Sequence, residues 1–405
     1  MKLIILTQYF PPEIGAPQNR LFELASRLKS EDLEIDVLTA MPNYPHMKVQ
    51  DGYKGKYSMK ETMNGMTVHR RWIYVSKSKS IVPRLINYFS FVITSLFAGI
   101  FSLRKYDAVL CESPPLFLGI SAYLICKIKG AKLIFNVSDL WPESAEKLGL
   151  VTNKAMLGLA TKLEEFLYRK SHLITGQTQG IVENISSRFP NKKVYWLPNG
   201  VDINLFEPDA IESDFREKNG FQTSQLLFFY AGIIGHAQGL DIILDAAKKI
   251  KNSKAHFVML GEGPEKPRLL KRKEDERIEN ITFLNAITKD EMPAFVKAMD
   301  VAVIPLKKLD LFKGAIPSKI FENLAMKKPI LLGVEGEAKA LFIDTGKAGL
   351  FFEPENETEL AKAVDEIANN PSAVMHFGEN GREYVSQVFN RDKIAAEFNK
   401  ELKQL

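Results

Sequence analysis

The sequence predicts an α/β protein with two parallel-sheet domains, and three observations carry that prediction. Short β-rich runs alternate with longer helical patterns from end to end, the signature of parallel βα architecture. The alternation restarts midway, after the turn Pro198-Asn199-Gly200 and a polar stretch over 207–223. A chain of 405 residues also exceeds what one ordinary core holds.

The strands expected in the first half are 2–8, 34–39, 67–75, 107–111, 132–137, 172–175 and 194–197. Those of the second half are 226–230, 256–260, 281–284, 301–304, 330–332 and 350–352. We therefore expect one domain over 1–198 and a second over 199–390, followed by a helix over 391–405 with no strand of its own. No short repeat or low-complexity tract interrupts the pattern. Parallel sheets bind ligands beyond the carboxyl ends of their strands, so two such domains would face a shared cleft lined by βα loops.

Composition excludes several classes of function. The chain is 45% hydrophobic and 25% charged, and 54 basic against 49 acidic residues leave a net charge of +5. So mild an excess gives no nucleic-acid footprint. Cys111 and Cys126 lie in apolar runs without ligand spacing, which argues against zinc or a disulfide framework and for a reducing compartment. The apolar start Met1-Lys2-Leu3-Ile4-Ile5-Leu6 is too short for a signal segment and reads as the first strand of a cytoplasmic protein.

Candidate chemistry follows the strands. After the first comes Phe10-Pro11-Pro12-Glu13-Ile14-Gly15, a stiff loop whose glycine lets backbone approach a ligand at a helix start. After the run 132–137 comes Ser138-Asp139-Leu140-Trp141-Pro142-Glu143. Asp139 suits binding or deprotonation of an acceptor hydroxyl, and it or Ser138 equally suits capping of the next helix. Gly232-Ile233-Ile234-Gly235-His236-Ala237-Gln238-Gly239 follows the first strand of the second half, with spacing that lets backbone amides meet a phosphate. Gly261-Glu262-Gly263-Pro264 reads as a tight loop. In Gly314-Ala315-Ile316-Pro317-Ser318-Lys319-Ile320-Phe321-Glu322, Pro317 and Ser318 start a helix. Its first amides and Lys319 can neutralise a diphosphate, and Glu322 near the same end can accept both hydroxyl protons of a ribose.

In this order the motifs Phe10-Pro11-Pro12 with Gly15, Asp139-Leu140-Trp141-Pro142-Glu143, Pro198-Asn199-Gly200-Val201-Asp202, Gly261-Glu262-Gly263-Pro264, Asp300-Val301-Ala302-Val303-Ile304-Pro305-Leu306 and Pro317-Ser318-Lys319 with Glu322 are distinctive. Over nearly its whole length the chain resembles the retaining glycosyltransferases of family 4. The branch it looks most like adds amino- or deoxyhexoses during bacterial surface polysaccharide assembly. The resemblance implies the GT-B fold, two Rossmann-like domains facing a central cleft, and the terminal helix packed back on the first. It implies a UDP-sugar donor held by Gly15, Gly232, Gly235, His236, Gln238, Gly261, Gly314, Pro317 and Ser318. Asn285 and Ile287 would lie near the base, and Glu322 would hold the ribose. Pro12, Glu13, Trp141 and Glu143 fall on the acceptor side, Asp139 orients the acceptor, and Lys319 stabilises the leaving diphosphate.

Four positions depart from the family pattern. Ile233 and Gln238 stand where many relatives carry the arginine and lysine of the phosphate loop. Gly314 stands in place of the first of two paired glutamates, and Asp139 in place of a histidine. No D-x-D sequence occurs, so we expect no metal or other cofactor, with Lys319 and helix amides meeting the diphosphate charge and His236 a weaker substitute. The same architecture serves nucleotide-sugar 2-epimerases, and a non-catalytic sugar-nucleotide-binding subunit would also tolerate the missing cations.

From 85 to 103 runs the uncharged stretch LINYFSFVITSLFAGIFSL. Its length suits a membrane span, for which about 20 apolar residues are needed, yet it lies between two strands of one expected sheet. It therefore reads either as a buried crossover or as an interfacial helix anchored by Lys77, Lys79, Arg84, Arg104 and Lys105. The second reading places the protein on the inner face of the cytoplasmic membrane and fits the polyprenyl-diphosphate-linked acceptor, a lipid-linked glycan, that the resemblance implies.

Overall fold

The computed structural model describes all residues except Ile14, Glu31, Lys79, Leu148 and Leu150, and only the backbone of Ala16 and Ile81. The chain forms two compact units, Met1–Asn199 with Arg391–Leu405, and Gly200–Asn390.

The first unit is built on strands β1 (Lys2–Leu6), β2 (Glu34–Ala40), β3 (Ser58–Met63), β4 (Met66–Arg71), β5 (Ala108–Ser113), β6 (Lys132–Val137), β7 (Leu173–Gly176) and β8 (Val194–Trp196). Their order in the sheet is β3-β4-β2-β1-β5-β6-β7-β8. The central strands are nearly continuous apolar runs because both sheet faces are covered. The second unit has β9 (Leu226–Ala231), β10 (Ala255–Leu260), β11 (Ile281–Leu284), β12 (Val301–Pro305), β13 (Ile330–Gly333) and β14 (Gly349–Phe351). These are all parallel, in the order β11-β10-β9-β12-β13-β14. The expected α/β class with two parallel sheets is what the chain forms.

Sequence reasoning missed β3, which pairs antiparallel with β4. The two join through Asn64 and Gly65, at φ 47° and 72°. Both are left-handed, as a two-residue hairpin turn requires, so the Asn-Gly pair was the available signal. The expected strand 67–75 accordingly ends at Arg71.

The strand order reverses between β1 and β5 in one unit and between β9 and β12 in the other. Loops leaving these strands lie where parallel sheets take ligands. Helix Arg391–Lys403 buries Ala395, Phe398 and Leu402 in the same core cluster as Leu21, Leu24 and Leu28 of helix Ala16–Leu28, and Arg27 pairs with Asp392 at 2.8 Å.

Helix Ile81–Phe97, continued by a π-helical turn over Ala98–Ser102, joins β4 to β5. The segment Val82–Ser102 has a mean hydropathy of 1.7 and is long and apolar enough to cross a membrane by length and composition. Both strands that it joins belong to one sheet, with β2 and β1 between them, so a bilayer crossing would tear that sheet apart. Its inner side buries Phe91, Val92 and Ser95. Its outer side exposes Ile86, Phe89, Ile93, Phe97 and Phe101 at spacings of three and four, one apolar stripe. Of the basic residues around it, Lys77, Arg84 and Lys105 are exposed, while Lys79 lies outside the described residues. Arg104 corrects the expectation of a lipid anchor, because it is taken up by Glu34 at 2.6 Å and Asp36 at 3.0 Å.

Candidate functional site

In the second unit the loop leaving β9 folds against the loop leaving β10. Gly232 N–H donates to Leu260 O at 3.0 Å, and Ile234 N–H donates to Glu262 O at 2.9 Å. A Cβ at Gly261 would come within 1.9 Å of Gly232 O, and one at Gly263 within 2.2 Å of Ile234 O. The two glycines permit this backbone approach, so Gly261 packs directly against the phosphate-loop candidate.

Lys319 comes to the same loop from the opening of helix Lys319–Ala325. Its Nζ lies 3.7 Å from the ring centroid of Tyr230, and a Cβ at Gly232 would be 3.0 Å from it. The Tyr230 hydroxyl in turn donates to Ile233 O at 2.6 Å and holds the loop. Part of Lys319 reaches the surface, yet its ammonium sits deep among protein atoms. That desolvation pushes its pKa down to about 7, opposed by the charge of Glu322. A cation held above an aromatic face and beside a glycine loop is placed to gain most from a bound anion. Glu322 is half-buried in the first turn of the same helix, behind the exposed Ser318 and half-buried Pro317.

Lys307, just past β12, was not singled out by sequence reasoning. Its N–H donates to Ala237 O at 3.0 Å, and its Nζ lies 2.8 Å from His236 Nε2. Lys307 thus reaches His236 and brings a second positive charge, after Lys319, to the loop. The signal lay in the Lys307-Lys308 pair directly after a strand at the order reversal. Gln238 arches over Gly235, where a Cβ would meet its Oε1 at 2.9 Å. Gly314 is exposed, and a Cβ there would meet nothing within 4 Å. Asn285 accepts from Lys266 Nζ at 2.8 Å, which fixes the loop that also carries half-buried Ile287.

In the first unit, Gly15 caps helix Ala16–Leu28, and the buried Gln18 side chain crosses the space where its Cβ would stand. Glu13 is a correction. It is buried, and its carboxylate accepts from the amides of Asn43 at 2.7 Å, Tyr44 at 2.8 Å and Phe10 at 3.1 Å. Burial raises its pKa against the pull of those amides. Buried and bonded to three backbone amides, it braces the loop rather than facing an acceptor, while Pro12 beside it is exposed. Glu143 is paired with Lys147 at 2.6 Å. Asp139 is exposed and accepts from the Ser144 hydroxyl at 2.7 Å, a side-chain tie to helix Glu143–Lys147 that leaves the carboxylate facing outward. Trp141 is half-buried, with its ring centroid 5.5 Å from that of Phe117.

Beneath this loop lies a buried network that sequence reasoning did not find. Arg20 pairs with Glu112 at 3.3 Å and donates to Ser138 Oγ at 2.9 Å. Glu112 also accepts from Asn136 and Ser138, and Thr175 donates to Asn136 at 2.6 Å. The network ties the carboxyl ends of β5, β6 and β7 together directly under Asp139. Burial raises the Glu112 carboxyl, with Arg20 the main opposing influence. Polar residues inside otherwise apolar strand runs were the signal. Among the described residues, no group of three His, Cys, Asp or Glu side chains could hold a metal ion.

Two family models match the chain: Glycosyltransferase Family 4 over residues 18–205 and Glycosyl transferases group 1 over residues 212–384. The putative colanic acid biosynthesis glycosyl transferase WcaI of Escherichia coli K12 is 24% identical over 98% of each chain. Among solved structures, sucrose-phosphate synthase from Thermosynechococcus elongatus superposes with a TM-score of 0.76 at 14% identity, covering 100% of this chain and 98% of the other. HepE of Anabaena, in complex with UDP and glucose, gives 0.70 at 17% identity over 100% of both chains.

Proposed function

Since the chain belongs to the family 4 glycosyltransferases of GT-B fold, we propose that it moves a hexose, an N-acetylamino or deoxy sugar, from a UDP-sugar to a polyprenyl-diphosphate-linked or glycan acceptor in surface polysaccharide biosynthesis. The observation that carries this reading is Lys319, whose desolvated ammonium stands beside Gly232 and over Tyr230. A diphosphate placed there gains a charge-assisted contact at the moment its leaving charge develops. Lys307 adds a second cation in compensation for Ile233 and Gln238. Glu322 takes the ribose hydroxyls, and Asn285 with Ile287 borders the base. Support for UDP as the nucleotide comes from HepE, a fold relative in complex with UDP and glucose. Support for polysaccharide assembly comes from the name of the colanic acid relative.

In the proposed reaction the acceptor hydroxyl replaces UDP at the anomeric carbon from the same face, and its proton passes to the departing phosphate. Asp139 orients the acceptor, and no metal takes part. The exposed stripe of helix Ile81–Phe97, with Arg84 and Lys105 at its ends, would rest on the inner face of the cytoplasmic membrane. Calorimetry with UDP tests the donor site. Glu322→Ala should weaken binding by about 1–3 kcal/mol through loss of charge-assisted hydrogen bonds, and unchanged affinity in the folded variant would remove Glu322 from the site.

A further inference from the structure

Lys266, in the second unit, occupies a place that works against its charge. It is buried, and it is the first residue of helix Lys266–Asp275, where the helix dipole disfavours a cation. An ammonium has three N–H groups to donate, and three acceptors meet them here. Nζ lies 2.7 Å from a Glu262 carboxylate oxygen, 3.2 Å from Leu284 O and 2.8 Å from Asn285 Oδ1. Glu262 belongs to the loop after β10, while Leu284 ends β11 and Asn285 begins the loop that follows. Lys266 thus joins two loops at the carboxyl ends of paired strands, where parallel sheets take ligands.

The consequence falls on Asn285. An ammonium only donates, so the amide oxygen of Asn285 faces Lys266 and its NH2 group faces away. Asn285 is exposed, and among the described residues its Nδ2 makes no hydrogen bond. An unheld asparagine can turn over and offer either donor or acceptor, whereas this one offers a ligand donors alone. The peptide groups beside it carry one donor and one acceptor each and suit either kind of base edge. Asn285 therefore breaks the tie. Uracil and cytosine share one size and shape, but uracil carries a carbonyl oxygen where cytosine carries an amino group. Two donors brought face to face are both left unpaired, and a site built on hydrogen bonds rejects such a ligand.

We propose that Lys266 is a positioning residue for base choice: by holding the Asn285 oxygen, it leaves the amide nitrogen to meet the exocyclic carbonyl of uracil and to refuse the amino group of cytosine. This rests on the UDP-sugar reading above and adds to it the residue that sets the base. The test is calorimetry on the full-length protein with two probes, UDP and CDP. The native protein should bind UDP at least about tenfold more tightly than CDP. Asn285→Asp keeps the contact with Lys266 but presents acceptors alone, so it should cut that preference at least fivefold. Its added negative charge falls on both nucleotides alike and cancels in the ratio. Lys266→Met frees Asn285 to turn over and should cut the same ratio at least threefold, whereas a loss of stability alone would lower both affinities together. The proposal is overturned if the native protein binds UDP and CDP within threefold of each other, or if either variant, once folded, keeps the native ratio. Should the buried Lys266 prove essential to folding, the exposed Asn285 variant decides the matter. Failure of the wider reading looks different: the native protein would then bind neither nucleotide.

Discussion

Lys319 concentrates the electrostatics of the donor half-site, because its charge is desolvated and waits for an anion. Lys319→Ala should lower the transfer rate by about 10²–10³, the scale of losing one transition-state charge donor. Its titration gives a pH signature of opposite sign for binding and for stability. With the free lysine near 7, raising the pH through that value discharges it, so UDP affinity should fall by up to about tenfold per unit. The unfolded lysine keeps its proton up to its ordinary 10.5. Between about 7 and 10.5 the unfolded chain therefore binds more protons, and this residue makes the unliganded protein more stable as pH rises. Calorimetric titrations and thermal melts at pH 6.5, 7.5 and 8.5 check both signs, and Lys319→Ala should flatten both profiles. Lys319 and Glu322 were legible because they open a helix after a strand. Lys307 was not, because its place beside His236 depends on two loops from strands far apart in sequence. Glu13 misled because a carboxylate in a proline-rich loop looks available until its backbone partners, Asn43 and Tyr44, are brought in from about 30 residues away.

At the scale of elements, the buried Arg20–Glu112 pair holds the loop that bears Asp139. Glu112→Ala leaves a guanidinium buried without its charge partner, and should cost about 3–5 kcal/mol in chemical denaturation. A loss below 1 kcal/mol would mean that the pair is dispensable. Helix Ile81–Phe97 makes a separate prediction. If its outer stripe rests on lipid, sedimentation with anionic liposomes should fall with rising salt, and should fall again when Ile93, Phe97 and Phe101 become serine, with UDP binding intact. Each exposed basic residue near the surface adds about 1 kcal/mol to the attraction. Wild-type protein that stays in the supernatant would remove the lipid surface from the account. The strands themselves were readable because parallel strands covered on both faces are continuous apolar runs, as in Leu3–Leu6 of β1. The hairpin escaped because its edge strand, Ser58–Met63, alternates between exposed and half-buried and carries Lys60 and Glu61. Such an edge has no apolar run to announce it.

At the scale of the whole molecule, the order of motifs carried the family and the physical chemistry of single loops did not. Any one glycine pair fits an ordinary turn, whereas six elements in sequence across both sheets fit one enzyme class. What the sequence left unreadable was the inner wiring, since contacts such as Arg20 with Glu112 join positions about 90 residues apart. If the lysines meet the diphosphate charge as proposed, transfer should persist in excess EDTA, and strict dependence on magnesium would contradict that arrangement. The most direct test of the central claim is nucleotide release by the purified protein, with a panel of UDP-sugars in the presence and absence of a bacterial membrane-lipid extract. One UDP-sugar should yield UDP only when the lipid extract is present, with the sugar recovered in the lipid fraction and its anomeric configuration retained. UDP release without lipid and with no labelled lipid, or no release with any donor, would contradict it.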